Sequence, residues 1–201
     1  MTDRFSAIIL TGGRSSRMGS SKAELKFGDQ TLLEGTISKL RAAFGDLVVV
    51  AAPAGLPTSV PTDITIIHDE HEYEGPLPAL ARGLRAIGND AAFVCSCDLP
   101  LLKSEVARAL CAMLATYDAV IPQVAGLPQP LHAVYRKQCA PAIDEMLIRG
   151  EQRLTKIVDS LSVRIVDENE LRPIDPDLHS FVNVNTPEEY ASALRLISRQ
   201  A

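Results

Sequence analysis

The stretch that decides the fold is Ala7-Ile8-Ile9-Leu10-Thr11-Gly12-Gly13-Arg14-Ser15-Ser16-Arg17-Met18-Gly19-Ser20-Ser21-Lys22. Its first four residues form an apolar run that predicts a buried parallel strand. The two glycines after it let the backbone take positive φ and approach a ligand, so that their N–H groups can bind anionic oxygens. Open α/β sheets bind ligands at the carboxyl ends of their strands. With three cations nearby, at Arg14, Arg17 and Lys22, the stretch predicts a phosphate-binding loop.

The spacing of this loop excludes two common nucleotide-binding motifs. A Walker A motif needs Gly-Lys-Ser/Thr, but Gly19 is followed by Ser20 and Lys22 by Ala23. The dinucleotide pattern G-x-G-x-x-G fails because the glycines stand at 12, 13 and 19. The pattern that remains is L-x-G-G-x-S-x-R-M-G-x-x-K. A solvated basic loop after a strand is the alternative interpretation.

Composition restricts the class of protein. The chain has 201 residues, of which 46% are hydrophobic and 22% charged, with a net charge of −5. These values are typical of a globular protein and argue against a surface that binds nucleic acid. No apolar run approaches the ~20 residues that a membrane helix needs, and the N-terminus lacks the plan of a signal peptide. The four cysteines lack C-x-x-C spacing; we expect buried thiols, with a metal pair at Cys95 and Cys97 as the alternative, and a cytoplasmic location.

Strand and helix patterns alternate along the chain. Strands are predicted at residues 7–10, 47–52, 64–67, 91–95, 118–121, 131–135 and 162–166. Helices are predicted from 31 to about 44, from about 78 to 87, from 104, from about 138 to 148, at 154–161 and from 187. Thr31 with Glu34 forms a capping-box pattern, Ser104 is a candidate cap, and Asn185 or Thr186 caps the last helix. The order predicts one doubly wound α/β domain over residues 1–201, with a mostly parallel sheet and helices on both faces.

Two carboxylates follow predicted strands and are candidates for chemistry. Asp98 comes just after the strand at 91–95, and a carboxylate at that edge is suited to Mg²⁺ together with phosphate oxygens; the alternative is an Asp that caps the next helix. Asp69 stands nearest the end of the strand at 64–67, within a His- and Glu-rich stretch that we interpret as a polar loop because it lacks H-E-x-x-H order. Gly75 begins a tight loop whose backbone could lie against a base or ribose. His132 is interpreted as a core histidine.

These residues belong to stretches that resemble the MobA-type molybdenum cofactor guanylyltransferases over nearly the whole chain. The similar stretches are Leu10-Thr11-Gly12-Gly13 with Lys22, Gly75-Pro76-Leu77, Cys97-Asp98-Leu99-Pro100, Gln129 to Arg136, and Phe181 to Glu189. The first motif is shared with many nucleotidyltransferases, whereas the last two are narrower. The resemblance implies a Rossmann-like nucleotidyltransferase fold.

The resemblance also implies an activity: Mg²⁺-dependent transfer of GMP from GTP to molybdopterin, with release of pyrophosphate. It implies that GTP is contacted by Leu10, Thr11, Gly12, Lys22, Asp69 and Asp98, with Asp98 also the Mg²⁺ ligand. We add Gly13 and Gly75 to the binding set, and we assign catalytic roles to Lys22, Arg17 and Asp98. Ala51 departs from the family pattern, because some members carry a nucleotide-contacting Asn there.

Two alternatives stay open. One is a related nucleotidyltransferase that uses CTP on molybdopterin or acts on a sugar phosphate, and the other is a catalytically silent nucleotide-binding or chaperone-like module for molybdoenzymes. The expected partners are the two substrates, with molybdoenzyme apoproteins or their chaperones as further candidates, and neither nucleic acid nor a membrane.

Overall fold

The computed structural model describes residues 4–11, 22–53, 56, 60–71 and 74–198. The strands are β1 (Ser6–Leu10), β2 (Lys26–Phe27), β3 (Gln30–Thr31), β4 (Leu47–Ala51), β5 (Thr65–His68), β6 (Ala91–Ser96), β7 (Ala119–Val124), β8 (Leu127–Pro128), β9 (His132–Arg136) and β10 (Val163–Asp167). The α-helices are α1 (Leu32–Arg41), α2 (Pro76–Ala86), α3 (Ser104–Ala112), α4 (Ala140–Ile148), α5 (Glu168–Leu171) and α6 (Pro187–Ser198). Short 3₁₀ helices lie at Lys22–Glu24, Lys137–Cys139, Leu154–Asp159 and His179–Phe181.

The main sheet has the strand order β10-β7-β9-β6-β1-β4-β5, and β8 pairs with the end of β7. Strands β6, β1, β4 and β5 are mutually parallel, as are β7 and β10. Strand β9 runs antiparallel to β6 and β7. A parallel return from β7 to β9 needs a crossover of about a dozen residues or more. Only residues 125–131 join the two strands, and they contain β8 and a tight turn at Ala125 and Gly126, both with positive φ. The predicted mostly parallel sheet is confirmed.

Helices cover both faces of this sheet. On one face α1 and α3 bury apolar residues such as Leu40 and Leu110 against the sheet. On the other face α2 and α4 bury residues such as Leu80 and Ile143. Because both faces are covered, the central strands are apolar on both sides: β1 and β4 are buried along their whole length. This accounts for the continuous apolar runs in the sequence.

The local signals predicted most helix ends. Thr31 caps α1 through a capping box with Glu34, in which the Glu34 N–H donates to the Thr31 hydroxyl at 3.1 Å. Thr186 forms the same exchange with Glu189 at the start of α6. The capping role predicted for Ser104 is wrong: Ser104 is the first residue of α3, and the N-cap, Lys103, makes no side-chain capping bond. The Lys103 N–H donates to the Ser180 hydroxyl.

Helix α2 starts at Pro76, two residues before the predicted start. Gly75 takes φ of +88° at the N-cap, a conformation that L side chains rarely adopt, and Pro76 fills the first helical position, where its missing N–H costs nothing. The helix predicted at 154–161 is the 3₁₀ helix Leu154–Asp159. Among the described helices the longest, α6, has 12 residues, and no described helix is long and apolar enough to cross a membrane.

Candidate active site

The candidate site lies along the edge where the parallel strands β5, β4, β1 and β6 end. Backbone hydrogen bonds tie each strand end to its neighbour. The N–H of Asp69 donates to the Ala51 carbonyl at 2.8 Å, and the N–H of Thr11 donates to the Val50 carbonyl at 3.0 Å. The Cys97 N–H donates to Leu10 at 3.2 Å. The predicted residues Asp69, Thr11 and Asp98 therefore lie along one edge of the sheet.

The end of β1 lies in the middle of this edge, between β4 and β6. The Leu10 side chain is buried in the apolar cluster that α2 covers, and the Thr11 hydroxyl donates to the Val50 carbonyl at 3.1 Å. Gly12, Gly13, Arg14 and Arg17 lie outside the described residues. Lys22 begins the short 3₁₀ helix that follows the loop. The predicted roles of these residues in binding and catalysis stay predictions.

Asp98 is half-buried at the first turn after β6, and its hydrogen bonds include one to its carboxylate and one to its backbone carbonyl. The Ser96 hydroxyl donates to Asp98 Oδ1, and the N–H of Val184 donates to the Asp98 carbonyl at 3.0 Å. The second contact comes from the Phe181 to Glu189 stretch. The sequence identifies this stretch as a family motif but does not predict where it lies in the fold. The structure thus brings this stretch to the predicted metal ligand.

An ion pair between a buried aspartate and a half-buried lysine anchors the segment that contacts Asp98. Asp175 is fully buried, and the Lys103 ammonium lies 2.8 Å from its Oδ1. The Ser180 N–H donates to Asp175 Oδ2 at 2.8 Å. Burial raises the pKa of Asp175, but the hydrogen bonds from Lys103 and Ser180 outweigh it and lower the pKa overall. Sequence patterns did not indicate this pair, because its members are 72 residues apart in separate elements.

A lysine of α1 contacts the loop that follows Asp98. The Lys39 ammonium donates to the Pro100 carbonyl, and burial lowers the pKa of Lys39. No motif indicated this residue, since lysines on a helix surface are usually solvated.

Asp69 is held differently, by an arginine of α2. Arg82 Nη1 lies 2.9 Å from Asp69 Oδ1 and 2.6 Å from Glu74 Oε2, and Nη2 lies 3.7 Å from Glu70. Burial raises the pKa of Asp69 although Arg82 opposes the shift. Burial also raises the pKa of Glu74, but there the shorter bond to Arg82 prevails and the pKa is lowered. Sequence reasoning missed Arg82, since an arginine in an Ala/Leu-rich helix carries no motif.

The His- and Glu-rich stretch near Asp69 brings three metal-ligating groups together. Ligand atoms of Glu70, His71 and Glu74 lie within 4.8 Å of one another. The Arg82 guanidinium already contacts Glu74, and Glu70 and His71 are exposed. A bound cation would meet that positive charge, so the interpretation as a polar loop is retained.

His132 and the four cysteines were predicted to lie in the core. His132 is 2% exposed, and its ring packs against Phe93 and Phe181, with centroids 5.1 and 4.4 Å away. Its core location is confirmed, although neither ring nitrogen has a hydrogen-bond partner among the described residues. Burial lowers the pKa of His132 to about 3. All four cysteines are buried free thiols, as predicted.

Ala51, the departure from the family pattern, is fully buried as the last residue of β4. Its carbonyl accepts the hydrogen bond from Asp69. The residue therefore positions the next strand end through its backbone, whereas its methyl group lies in the core.

Comparison with known proteins identifies the family. The model of the MobA-like NTP transferase domain matches residues 7–165, from β1 into β10. The chain belongs to this family. Within it, a probable molybdenum cofactor guanylyltransferase of Carboxydothermus hydrogenoformans is 31% identical over 94% of this chain and 95% of its own length. A molybdenum cofactor guanylyltransferase of Desulfosudis oleivorans is also 31% identical, over 95% of both chains.

A solved structure gives the same assignment. The molybdopterin-guanine dinucleotide biosynthesis protein A of Archaeoglobus fulgidus superposes with a TM-score of 0.82 at 26% identity, covering 97% of this chain and 100% of that one. The predicted resemblance to MobA-type proteins and the predicted nucleotidyltransferase fold are confirmed. The match to the MobA-like family model covers every residue of the strand-end edge described above, from Leu10 to Asp98.

Proposed function

We propose that this chain transfers GMP from GTP to molybdopterin and releases pyrophosphate. The observation that carries the proposal is the placement of two carboxylates on one sheet edge, Asp69 after β5 and Asp98 after β6, with β4 and β1 between them. Three interstrand steps of ~4.8 Å put the two strand ends about 14 Å apart. One carboxylate can therefore meet the nucleoside while the other meets the phosphates. The names of the relatives supply guanine as the base and the pterin as the acceptor.

The triphosphate would lie against the loop that follows β1. Leu10 and Thr11 end the strand there, and the backbone N–H groups of Gly12 and Gly13 would bind phosphate oxygens. Arg17 and Lys22 would neutralise charge that develops on the leaving pyrophosphate, which is the larger part of catalysis in such transfers.

Asp98 fits a magnesium site. It offers a carboxylate oriented by a neighbouring hydroxyl, and hard oxygen ligands of this kind together with phosphate oxygens are what Mg²⁺ prefers. The nearby sulfur atoms of Cys95 and Cys97 are buried. When bound, Mg²⁺ supplies charge neutralisation for the phosphates.

The chemistry requires positioning rather than a covalent intermediate. A terminal phosphate oxygen of molybdopterin bonds to the α-phosphorus of GTP in line, while the bond from that phosphorus to the β-phosphate oxygen breaks. The nucleophile is already ionised, so no strong general base is needed. The residues of this chain would position the two reactants and neutralise the charge on the leaving pyrophosphate.

The nucleoside would lie at the Asp69 end of the edge, beside the Gly75 turn. Guanine presents its N1–H and N2–H₂ groups as adjacent donors, which a carboxylate or backbone carbonyls can accept. Adenine has an acceptor at N1 and would leave a buried acceptor unpaired, which costs ~1–3 kcal/mol. We therefore propose GTP as the preferred substrate and the whole chain, residues 1–201, as one nucleotidyltransferase domain. It would work in the cytoplasm and pass its product to molybdoenzyme apoproteins or their chaperones.

The test is an assay of pyrophosphate release with molybdopterin and each of the four nucleoside triphosphates, with and without Mg²⁺. We expect release with GTP and Mg²⁺, and much slower release with the other three. Equal turnover of CTP would replace the guanylyl assignment by a cytidylyl one. Absence of turnover with any of the four would overturn the proposed activity.

A further inference from the structure

Arg82 stands out among the cations near the site because one guanidinium serves three carboxylates. It projects from the second turn of α2, and its side chain is 21% exposed. Asp69 and Glu74, which share its Nη1, are 9% and 13% exposed. Glu70 on the solvent side is 74% exposed. Solvent-exposed ion pairs contribute little stabilisation. The contacts of Arg82 with Asp69 and Glu74 are therefore expected to be stronger than its contact with Glu70.

The arrangement fixes Asp69 from two directions. Its backbone N–H is bonded to Ala51, which sets the position of the main chain at the end of β5. Arg82 then holds Oδ1 at 2.9 Å, which sets the rotation of the carboxylate. Because Arg82 makes this contact through Oδ1, the second oxygen, Oδ2, is the one that another donor can use.

The same geometry shows what would happen to Asp69 without the arginine. Glu74 and Asp69 both lie within 3 Å of Arg82 Nη1, so their carboxylates face one another across it. Two shielded like charges without a cation between them repel, and the carboxylates either separate or take up a proton. Either response removes a correctly placed, ionised Asp69.

We propose that Arg82 is a positioning residue for nucleotide binding: by clamping Asp69 Oδ1 and Glu74 Oε2 it makes Asp69 present its second oxygen to a hydroxyl or amino donor of the bound nucleoside. This inference rests on the proposed function, in which Asp69 meets the nucleoside. Arg82 touches neither the nucleotide nor the reacting atoms and acts through Asp69. Its loss should therefore weaken nucleotide binding and leave the transfer step nearly unchanged.

The experiment measures GTP affinity by calorimetry, and kcat and KM by pyrophosphate release, in the full chain. The main variant is Arg82→Met, which keeps the apolar part of the side chain. The control is Arg85→Met, on the same helix, whose partner Asp144 lies on α4 at the surface. Thermal melting of each variant reports the fold.

We expect Arg82→Met to raise the Kd and KM for GTP by about 10- to 100-fold, with kcat within about twofold of wild type. Arg85→Met should match wild type. Arg82→Lys should recover part of the affinity, because a lysine restores the charge but not the forked geometry. Arg82→Met with Glu74→Gln should bind GTP better than Arg82→Met alone, because Asp69 no longer faces a second charge.

A merely structural arginine would give a different pattern. It would lower the melting temperature without a selective rise in KM, and Glu74→Gln would not rescue binding; that result overturns the inference. If wild type binds GTP and Arg82→Met binds it equally well, the inference fails while the proposed function stands. If wild type binds none of the four nucleoside triphosphates, the proposed function fails and this inference fails with it.

Discussion

Asp69 and Asp98 have the same origin in the fold but different surroundings. Each follows a parallel strand of the same sheet, at the same edge. Asp69 is clamped by a charged partner, Arg82, whereas Asp98 is oriented by a hydroxyl and by the backbone of a distant segment. A carboxylate whose oxygen is bound to an arginine is a poor ligand for a dication, and Asp69 is in that position. The two roles proposed for these carboxylates therefore rest on their surroundings and not on their place after a strand.

The largest expected effect comes from removing the charge at Asp98. Asp98→Asn should lower turnover by about 1000-fold, because a missing metal ligand leaves the phosphate charge in the transition state uncompensated. The fold should persist, since the amide still accepts a hydrogen bond from Ser96. Pyrophosphate release at matched Mg²⁺ measures the loss, with Asp144→Asn as a surface control. Wild-type turnover in Asp98→Asn would remove Asp98 from the mechanism.

The corresponding change at Asp69 should act on binding and selectivity instead. Asp69→Ala should raise the KM for GTP by about 10- to 100-fold, the loss of one buried, charge-assisted contact, and narrow the preference for GTP over the other nucleotides. Arg82 keeps Glu74 as a partner, so the fold should be retained. Kinetics with all four nucleotides and Mg²⁺ titrations measure the effect. A fall in kcat with an unchanged KM would contradict the division between the two carboxylates.

Acid should lower the free energy of unfolding through His132. This residue packs against the Phe181 ring of the segment that contacts Asp98. The pKa of His132 is lowered by burial to about 3 in the folded state and is about 6.5 when unfolded. Below pH 6.5 the unfolded chain takes up a proton that the folded chain refuses, so stability falls as pH falls. Between pH 7 and pH 5 this loss amounts to about 2 kcal/mol.

Urea unfolding at the two pH values tests this linkage. His132→Leu should reduce the pH dependence between 5 and 7, while exposed His68→Gln should leave it as in wild type. An equal pH dependence in wild type and His132→Leu would assign the acid sensitivity to other groups.

The smallest effect concerns the packing of α2, the helix that carries Arg82. A Cβ on Gly83 would lie 2.8 Å from Ile8 Cγ2 and 3.2 Å from Val50 Cγ2, in the apolar core. Overpacking costs ~1–3 kcal/mol, against a gain in helix propensity of ~1 kcal/mol, so Gly83→Ala should lower stability by about 1 kcal/mol. The shift of α2 should raise the KM for GTP slightly and leave kcat unchanged.

Gly35→Ala in α1 is the matched control, because its Cβ would meet only Gln30 Oε1 at an ordinary 3.7 Å. It should stabilise the protein by up to ~1 kcal/mol. Equal effects of the two substitutions on unfolding would show that the approach of α2 to β1 is not tight.

The sequence alone determined the longer strands and helices and the approximate ends of those strands, but not the short elements β2, β3, β8 and α5. Each predicted strand is present, with ends within three residues of those predicted, because strand and helix periodicity and caps such as Thr31 are local properties. The same local signals put Asp69 directly after one strand and Asp98 just past the end of another, and parallel order then predicts a common edge. The motifs of the first loop and of residues 129–136 and 181–189 were sufficient to indicate the family that the comparisons identify.

Only the tertiary structure decided what surrounds each carboxylate. Arg82 reaches Asp69, Val184 reaches Asp98 and Lys103 reaches Asp175 from separate elements, and each contact depends on how helices and loops pack against the sheet. Residue spacing specifies which face a side chain takes but not which neighbour it meets. That neighbour is set by packing on both faces of the sheet, a property of the whole chain, and so the physical difference between the two carboxylates could not be read from the sequence.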